Sequence, residues 1–352
     1  MTDMQVMLEQ TLERFFAQAV DAAGQAGGFS QDLWDGIDAL GLTRALAAED
    51  DADPGVGWPD VLVVLRAAGR HAAPLPLAET IIASWLAAGA GLDVPGGALS
   101  LIDIDEACEG GEAMSLTSRA GVWLLSGRGR RVPWGRIATA AVAAVPHDGQ
   151  LRLVVAPCRG AEVTNGNNLA GEWRDELVFR DHPVQSAPLA LQSRIPPLRL
   201  FGGLARAAQM TGALERVLES TVRYVNERQQ FGKPLGKFQA VQHSLAVLAG
   251  EVAASGVATE AAFDAVEAGG DPGFLTAVAK IRAGEAAAQG IALGHQLHGA
   301  IGFTLEYKLQ RLTRRLMSWR TEFGASREWA VGLGQQVLDW GADAFWPKIA
   351  AL

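Results

Sequence analysis

Arg228 sits in the run Glu227-Arg-Gln-Gln-Phe-Gly232, which continues as Lys233-Pro-Leu-Gly-Lys-Phe238. A guanidinium offers a fixed fork of donors that meets phosphate oxygens in pairs, so an Arg on a basic, aromatic turn suits a pyrophosphate. The plainer reading of the same residue is a surface Arg beside Glu227. Downstream stands Gln296-Leu-His-Gly-Ala300, with Gly302 after it. A glycine lets a ligand or a second backbone come close because it has no side chain. Gly299 and Gly302 also read as a helix end and a turn, with His298 as a packing residue at that end. Ser126-Gly-Arg-Gly-Arg-Arg131 resembles an anion-binding loop in composition. It lacks the Lys-Ser/Thr and the following helix of a phosphate loop, and it reads as a solvated β-turn. Cys108 and Cys158 are too few for a disulfide framework or a metal knuckle and read as small buried apolar residues. No metal is expected.

The elements that must position these residues show in the spacing. Val6, Leu8, Leu12, Phe15, Phe16, Ala19 and Val20 recur at helical intervals, and glycines at 24, 27 and 28 end the pattern. Short helices are expected at 31–40, 58–71 and 78–89, parted by an Asp/Gly/Pro-rich loop at 50–57 and by Pro74 and Pro76. Between 98 and 193 the pattern becomes short apolar runs at 99–104, 122–125, 137–145, 151–156 and 176–179, broken by turn residues. That pattern predicts a small antiparallel β-domain. From Ile195 the helical period returns, with Leu204, Ala208, Thr211, Leu214, Leu218, Val222 and Val225 on one stripe. Phe274, Val278, Ile281 and Ala288 lie on another, and Glu285 interrupts it at a solvated edge. The expected fold class is α+β, mainly α. It comprises an N-terminal helical domain at 1–97, a shortened middle β-domain at 98–193 and a C-terminal helical bundle at 194–352.

The bulk properties fit a soluble chain of 352 residues with 49% hydrophobic residues and a net charge of −9 in no long single-sign block. Nucleic acid is an unexpected partner for that balance. The longest strictly apolar run, Ala140 to Val145, is too short to span a bilayer. The N-terminus lacks a secretory pattern, and the expected location is cytoplasmic.

The stretch Arg223 to His243 resembles the signature of acyl-CoA dehydrogenases, FAD enzymes that desaturate acyl-CoA thioesters. Gln296-Leu-His-Gly-Ala-Ile-Gly-Phe-Thr-Leu-Glu-Tyr307 and Lys308-Leu-Gln-Arg-Leu-Thr-Arg-Arg315 match a second block in the family's order, about fifty residues on. The resemblance is good over 200–335, recognisable over 1–97 and poor between them. It implies the same α, β, α order of domains. It also implies that Arg228 reaches across a subunit interface to the FAD pyrophosphate of a neighbour and that Phe231 packs on that cofactor. Gln296, Gly299 and Ala300 match the family's Gln and Gly-Gly, which contact the ADP part of the neighbour's FAD. Ala300 replaces the second glycine.

The same resemblance locates what is missing. Counting forward from Glu306 to Arg315, the family's catalytic Glu falls on Phe323. The alternative position on an earlier helix, counted back from Glu227-Arg228, falls on Gly202. Neither takes a proton. Glu322 is the nearest acid, and it reads either as a displaced base or as a solvated or salt-bridged residue near Arg320 and Arg327. A one-residue offset redirects a helical side chain by about 100°. In the β-domain, Arg131 and Pro133 fall where the family holds the flavin ring with Trp and Thr, after an Asn-Gly turn that Ser126-Gly127 would match. Pro133 has no amide hydrogen or hydroxyl to offer. The chain thus resembles the base-less subunit of heteromeric α2β2 bacterial acyl-CoA dehydrogenases known from steroid side-chain degradation. That implies a dimer or tetramer, with a catalytic partner and an acyl-CoA substrate. Two other readings stand beside it: a self-sufficient FAD-dependent dehydrogenase with Glu322 or another acid as base, and a non-catalytic scaffold that binds neither FAD nor CoA.

Overall fold

A computed structural model describes residues 2–22, 28–47, 56–104, 113–191 and 193–351. Cys108 and residues 50–55 of the expected loop lie outside the described residues, as do the glycines at 24 and 27. Cys158 is buried, and burial pushes its thiol up to about 12, which suits the small apolar role. The chain forms two compact units that draw on separated segments. One takes Met1–Gln25, Trp58–Ala73 and Gly203–Leu352, and the other takes Ala26–Gly57 and Pro74–Gly202.

The second unit holds α2 (Gln31–Ala39), α4 (Leu77–Gly89) and a seven-stranded sheet. The Ser30 hydroxyl caps α2 by accepting from the Leu33 amide at 3.3 Å. The sheet runs β1 (Leu99–Ile102), β4 (Ala140–His147), β5 (Gln150–Pro157), β7 (Arg174–Pro188), β3 (Val122–Pro133) and β2 (Ser115–Arg119), with β6 (Glu162–Thr164) beside β7. All pairs are antiparallel except β1 with β4, which is parallel, so the sheet is mixed where the run pattern suggested antiparallel throughout. The intervening β2–β3 hairpin is what allows β4 to re-enter alongside β1 in the same direction. Alternation along single strands carries no information on that direction.

The Gly/Arg run at 126–131 is a correction. The β2–β3 turn is Ala120-Gly121, both left-handed, and Arg119 pairs Val122. Ser126 to Arg131 lies inside β3, which bulges between Leu125 and Gly127 and between Gly129 and Val132. Arg128 donates to Glu176 across the sheet at 2.6 Å. These arginines are therefore laid out along a twisted strand and paired across it.

The first unit is helical: α1 (Asp3–Ala22), α3 (Trp58–Arg70), α5 (Pro197–Glu227, from Gly203 onward), α6 (Gln239–Glu267), α7 (Gly273–His298), α8 (Leu309–Trp319), α9 (Ser326–Trp340) and α10 (Ala342–Ala350). Leu12, Phe16 and Val20 form the buried stripe of α1. Helices α3 and α5 cross with their backbones in contact. A Cβ on Gly69 would meet the Gln209 carbonyl at 2.1 Å, and one on Gly212 would meet the Arg66 carbonyl at 2.0 Å. Only glycine permits that approach. On α7 the buried face consists of Thr276, Ala279, Lys280, Ala283, Ala287, Gly290 and Gly294, whereas Val278, Ile281 and Ala288 are only half-buried. Glu285 is exposed, as its place in the pattern implied. Helix α6 is long and apolar enough to cross a membrane by length and composition alone, at a mean hydropathy of 1.3. It packs against α7, and its buried Ser255 and Thr259 hydroxyls meet the Thr211 hydroxyl of α5 at 2.8 and 3.2 Å.

Candidate functional site

Arg228 follows the last turn of α5, its amide bonded to the Tyr224 carbonyl at 2.8 Å. There the chain turns through a two-stranded hairpin, Gln229–Gln230 (β8) against Lys233–Pro234 (β9). Phe231 and Gly232 occupy its tip, both left-handed, with φ of 52° and 79°. This conformation throws Phe231 outward, and the ring is 88% exposed, touching only the edge of Phe238 at a centroid distance of 6.2 Å. The Arg228 side chain is exposed and has no ion-pair partner among the described residues.

Gln296, Gly299 and Ala300 lie at the C-terminal end of α7 and are exposed. Gly299 takes a φ of 66°, and a Cβ there would meet nothing within 4 Å, so its backbone is open to an approaching group. The expected helix-end role of this glycine and its expected open backbone coexist, because the left-handed residue that ends the helix also faces outward.

His298 joins these two clusters. Its imidazole stacks on Tyr224 at 4.5 Å, one turn before Arg228. Its Nδ1 lies 2.8 Å from the Gly294 carbonyl, and its Nε2 lies 3.1 Å from the Tyr307 hydroxyl. The tautomer that satisfies both contacts has Nδ1 donating and Nε2 accepting. Burial holds the pKa of His298 below the usual 6.5, opposed by the Gly294 contact. His295 is likewise lowered by burial and by the neighbouring His298. It packs face to face with Phe303 at 4.0 Å and meets the Thr313 hydroxyl at 2.9 Å. The packing role expected for His298 is what the structure shows. The clamp it makes with Tyr224 and Tyr307 was missed, because Tyr224 lies 74 positions before His298 and carries no sequence signal of contact with it.

The expected base positions are elsewhere. Phe323 follows α8 in a left-handed turn with Gly324, and its ring is 5% exposed, with the Arg206 guanidinium 5.4 Å from its centroid. Arg206 and Tyr224 lie 18 residues apart on α5, which is roughly 27 Å along a helix. The residues expected to contact a cofactor and the expected base position therefore lie toward opposite ends of α5. Lys280 fixes the turn: its buried ammonium donates to the carbonyls of Trp319, Arg320 and Gly324 at 3.3, 3.0 and 2.9 Å. A cation suits those carbonyls at the end of α8. The Trp329 indole donates to the Phe323 carbonyl at 2.9 Å.

Glu322 is ion-paired, with its Oε2 2.7 Å from Nε of the buried Arg206. This is the salt-bridged reading, with Arg206 as the partner in place of the sequence neighbours Arg320 and Arg327. Withdrawing that carboxylate to serve as a base would leave Arg206 buried without this partner. Gly202 is buried within α5 and offers no side chain. In the sheet unit, Pro133 is buried, and its carbonyl accepts from the Ser100 hydroxyl. Arg131 is exposed at the bulge, with a φ of 50°. The structure thus brings Arg228, Phe231, Gln296, Gly299 and Ala300 to one end of the bundle, with Phe323 and Glu322 at the other.

Residues 201–327 match the family model of the acyl-CoA dehydrogenase C-terminal domain. Acyl-CoA dehydrogenase IpdE2 of Mycolicibacterium smegmatis is 26% identical over 323 residues, covering 88% of this chain and 90% of that one. Matches to several further relatives take in 27% to 46% of each relative's length, so the chain spans less than half of those proteins. The solved Tcur3481-Tcur3483 steroid ACAD variant superposes with a TM-score of 0.85 at 25% identity, over 96% of this chain and 98% of that one. The ChsE4-ChsE5 complex from Mycobacterium tuberculosis also reaches 0.85, at 20% identity, over 97% and 99%. Residues 201–327 thus match the acyl-CoA dehydrogenase C-terminal domain, and along its length the chain has the acyl-CoA dehydrogenase fold.

Proposed function

We propose that this chain is the non-catalytic subunit of a heteromeric acyl-CoA dehydrogenase, completing an FAD site whose base and flavin-ring contacts belong to a partner. The observation that carries this reading is the split along α5. The expected cofactor-contacting groups, with Ala300 in place of the second glycine, are exposed at one end, while the base position at the other is a phenylalanine beside a carboxylate committed to Arg206.

The residues present fit one part of FAD. Arg228 would pair with pyrophosphate oxygens, Phe231 would cover an apolar ring surface, and the open Gly299 backbone with Gln296 would meet the adenosine end. When bound, FAD supplies the hydride acceptor for desaturation of the thioester. Phe323 can take no proton and the adjacent Glu322 is committed to Arg206, so removal of the alpha proton falls to the partner. Buried Pro133 and outward Arg131 leave the flavin ring without the usual strand contacts. The likeness to a two-component steroid ACAD supports the heteromer and makes a ring-bearing acyl-CoA the first substrate to try. We place the assembly in the cytoplasm.

The test is FAD content and acyl-CoA oxidation of the purified chain, alone and co-expressed with a dehydrogenase subunit carrying an intact Glu base. The expected outcome is substoichiometric FAD and no turnover alone, with both restored in the complex and FAD lost again on Arg228→Ala. One FAD per chain with robust turnover by the chain alone would sink the proposal in favour of the self-sufficient enzyme. A chain that takes up no FAD with any such partner would leave the scaffold reading.

A further inference from the structure

A cavity of about 360 Å³ opens in the helical unit among α1, the end of α3, α5 and the segment 306–312. That size lies within the roughly 300–1,000 Å³ typical of small-molecule sites. None of Arg228, Phe231, Gln296 or Gly299 lines it. Its walls differ in character. Phe16 and Val20 of α1 with Leu309 and Leu312 of α8 make an apolar floor, while Arg216, Arg223 and Arg311 present guanidinium groups.

These cations are not equally occupied. Glu13 sits 2.9 Å from Arg70 Nε and 2.9 Å from His71 Nε2, and Glu219 accepts from Arg70. Arg216 reaches those two carboxylates only at 3.6 Å. Among the described residues Arg223 and Arg311 have no ion-pair partner, and Arg311 Nε is buried with no hydrogen-bond partner at all. Burial lowers the pKa of His71, which disfavours a charge on that ring. Glu306 is the one acid that lines the cavity, set against five lining Lys and Arg residues. A buried donor without an acceptor is costly, and convergent guanidinium groups repel one another unless an anion lies between them.

We propose that this cavity binds an organic phosphate, its phosphate between Arg223 and Arg311 and its flat or apolar body on Phe16 and Leu312. A forked guanidinium pair favours phosphate geometry, and the apolar floor favours an organic phosphate over the free ion. The inference stands apart from the cofactor reading, because it uses neither Arg228 nor the end of α7.

The experiment is calorimetric titration of the purified chain at low ionic strength with ADP, adenosine and inorganic phosphate, followed by Arg223→Gln, Arg311→Gln and Arg228→Ala. The expected result is saturable binding of ADP at one per chain, with adenosine and phosphate each at least about tenfold weaker. Arg223→Gln and Arg311→Gln should each weaken ADP by about tenfold, and Arg228→Ala should leave it unchanged. Arg223 is exposed, so its substitution spares the core if Arg311→Gln fails to fold. Absence of saturable ADP binding would overturn the proposal. So would free phosphate binding as tightly as ADP, or ADP binding that Arg228→Ala abolishes and Arg223→Gln leaves intact. The last of these would assign ADP to the cofactor end.

Discussion

Phe323 and Glu322 show how one position decides between chemistry and packing. Phe323 holds a left-handed backbone, an unusual state for a bulky residue, and is kept there by Lys280 beneath the turn and Trp329 across it. Its ring is buried against Arg206, with little solvent access. Phe323→Glu should therefore not restore acyl-CoA oxidation to the isolated chain, and it should cost stability by about 2–4 kcal/mol through burial of a new carboxylate. Denaturant melts and turnover assays would check both. Robust oxidation by that single variant would show that the flavin contacts had been misjudged. Glu322→Gln in an assembled complex should leave turnover within about threefold, whereas loss of a true general base costs about a hundredfold or more. The residues of this region were only half legible in the sequence. The counting that placed Phe323 and Gly202 rested on the family resemblance and needed no knowledge of contacts. The partner of Glu322 is Arg206, 116 residues away, and no local pattern points to it.

At the scale of elements, the helices and most strands were readable because periodicity reports which face is apolar. It does not report how closely two faces approach. On α7 the residues in closest packing are alanines and glycines that a hydrophobicity pattern underweights, and the larger Val278 and Ile281 lie at the margin. The crossing of α3 and α5 is the extreme case. Gly212→Ala should lower stability by about 2–3 kcal/mol or more, because its methyl group would lie inside the Arg66 carbonyl and the helices would have to part. A lowered urea midpoint at unchanged slope would bear this out. The end of α7 brings pH into play. His298 and His295 have folded pKa values below 6.5, so the unfolded chain binds more protons as pH falls. Their contribution to stability is complete above pH 6.5 and is lost as pH falls below it toward their folded values. Thermal melts between pH 8 and 5 should show Tm falling on the acid side, and His298→Gln should flatten that fall by a few degrees. An unchanged pH profile in the variant would argue that His298 is not the titrating group.

For the molecule as a whole, the α, β, α order of elements was visible from the spacing of apolar and turn residues, and the acyl-CoA dehydrogenase likeness followed from two motifs. The grouping of segments into compact units was not. An amphipathic stripe announces that something covers it without naming the cover. Thus α1 and α3 look like parts of a self-contained N-terminal domain but share a unit with residues 203–352. Excising residues 1–97 should therefore give a poorly folded fragment with fluctuating tertiary packing, detectable by weak near-UV dichroism and dye binding. A cooperative melt from that fragment would contradict the expectation.

That interleaving also orders events at the ribosome. The apolar stripe of α1, with Leu12 and Phe16 fully buried in the finished protein, meets α3 soon after synthesis, yet the rest of their unit is made only after residue 203. At about 5–20 residues per second the α1–α3 pair waits roughly ten seconds or more for the rest of its unit. The sheet unit, by contrast, is complete in sequence by Gly202 and can close while the rest is still being made. A hydrophobic-to-charged change at Leu12 should therefore alter holdase dependence during synthesis as well as the stability of the finished fold.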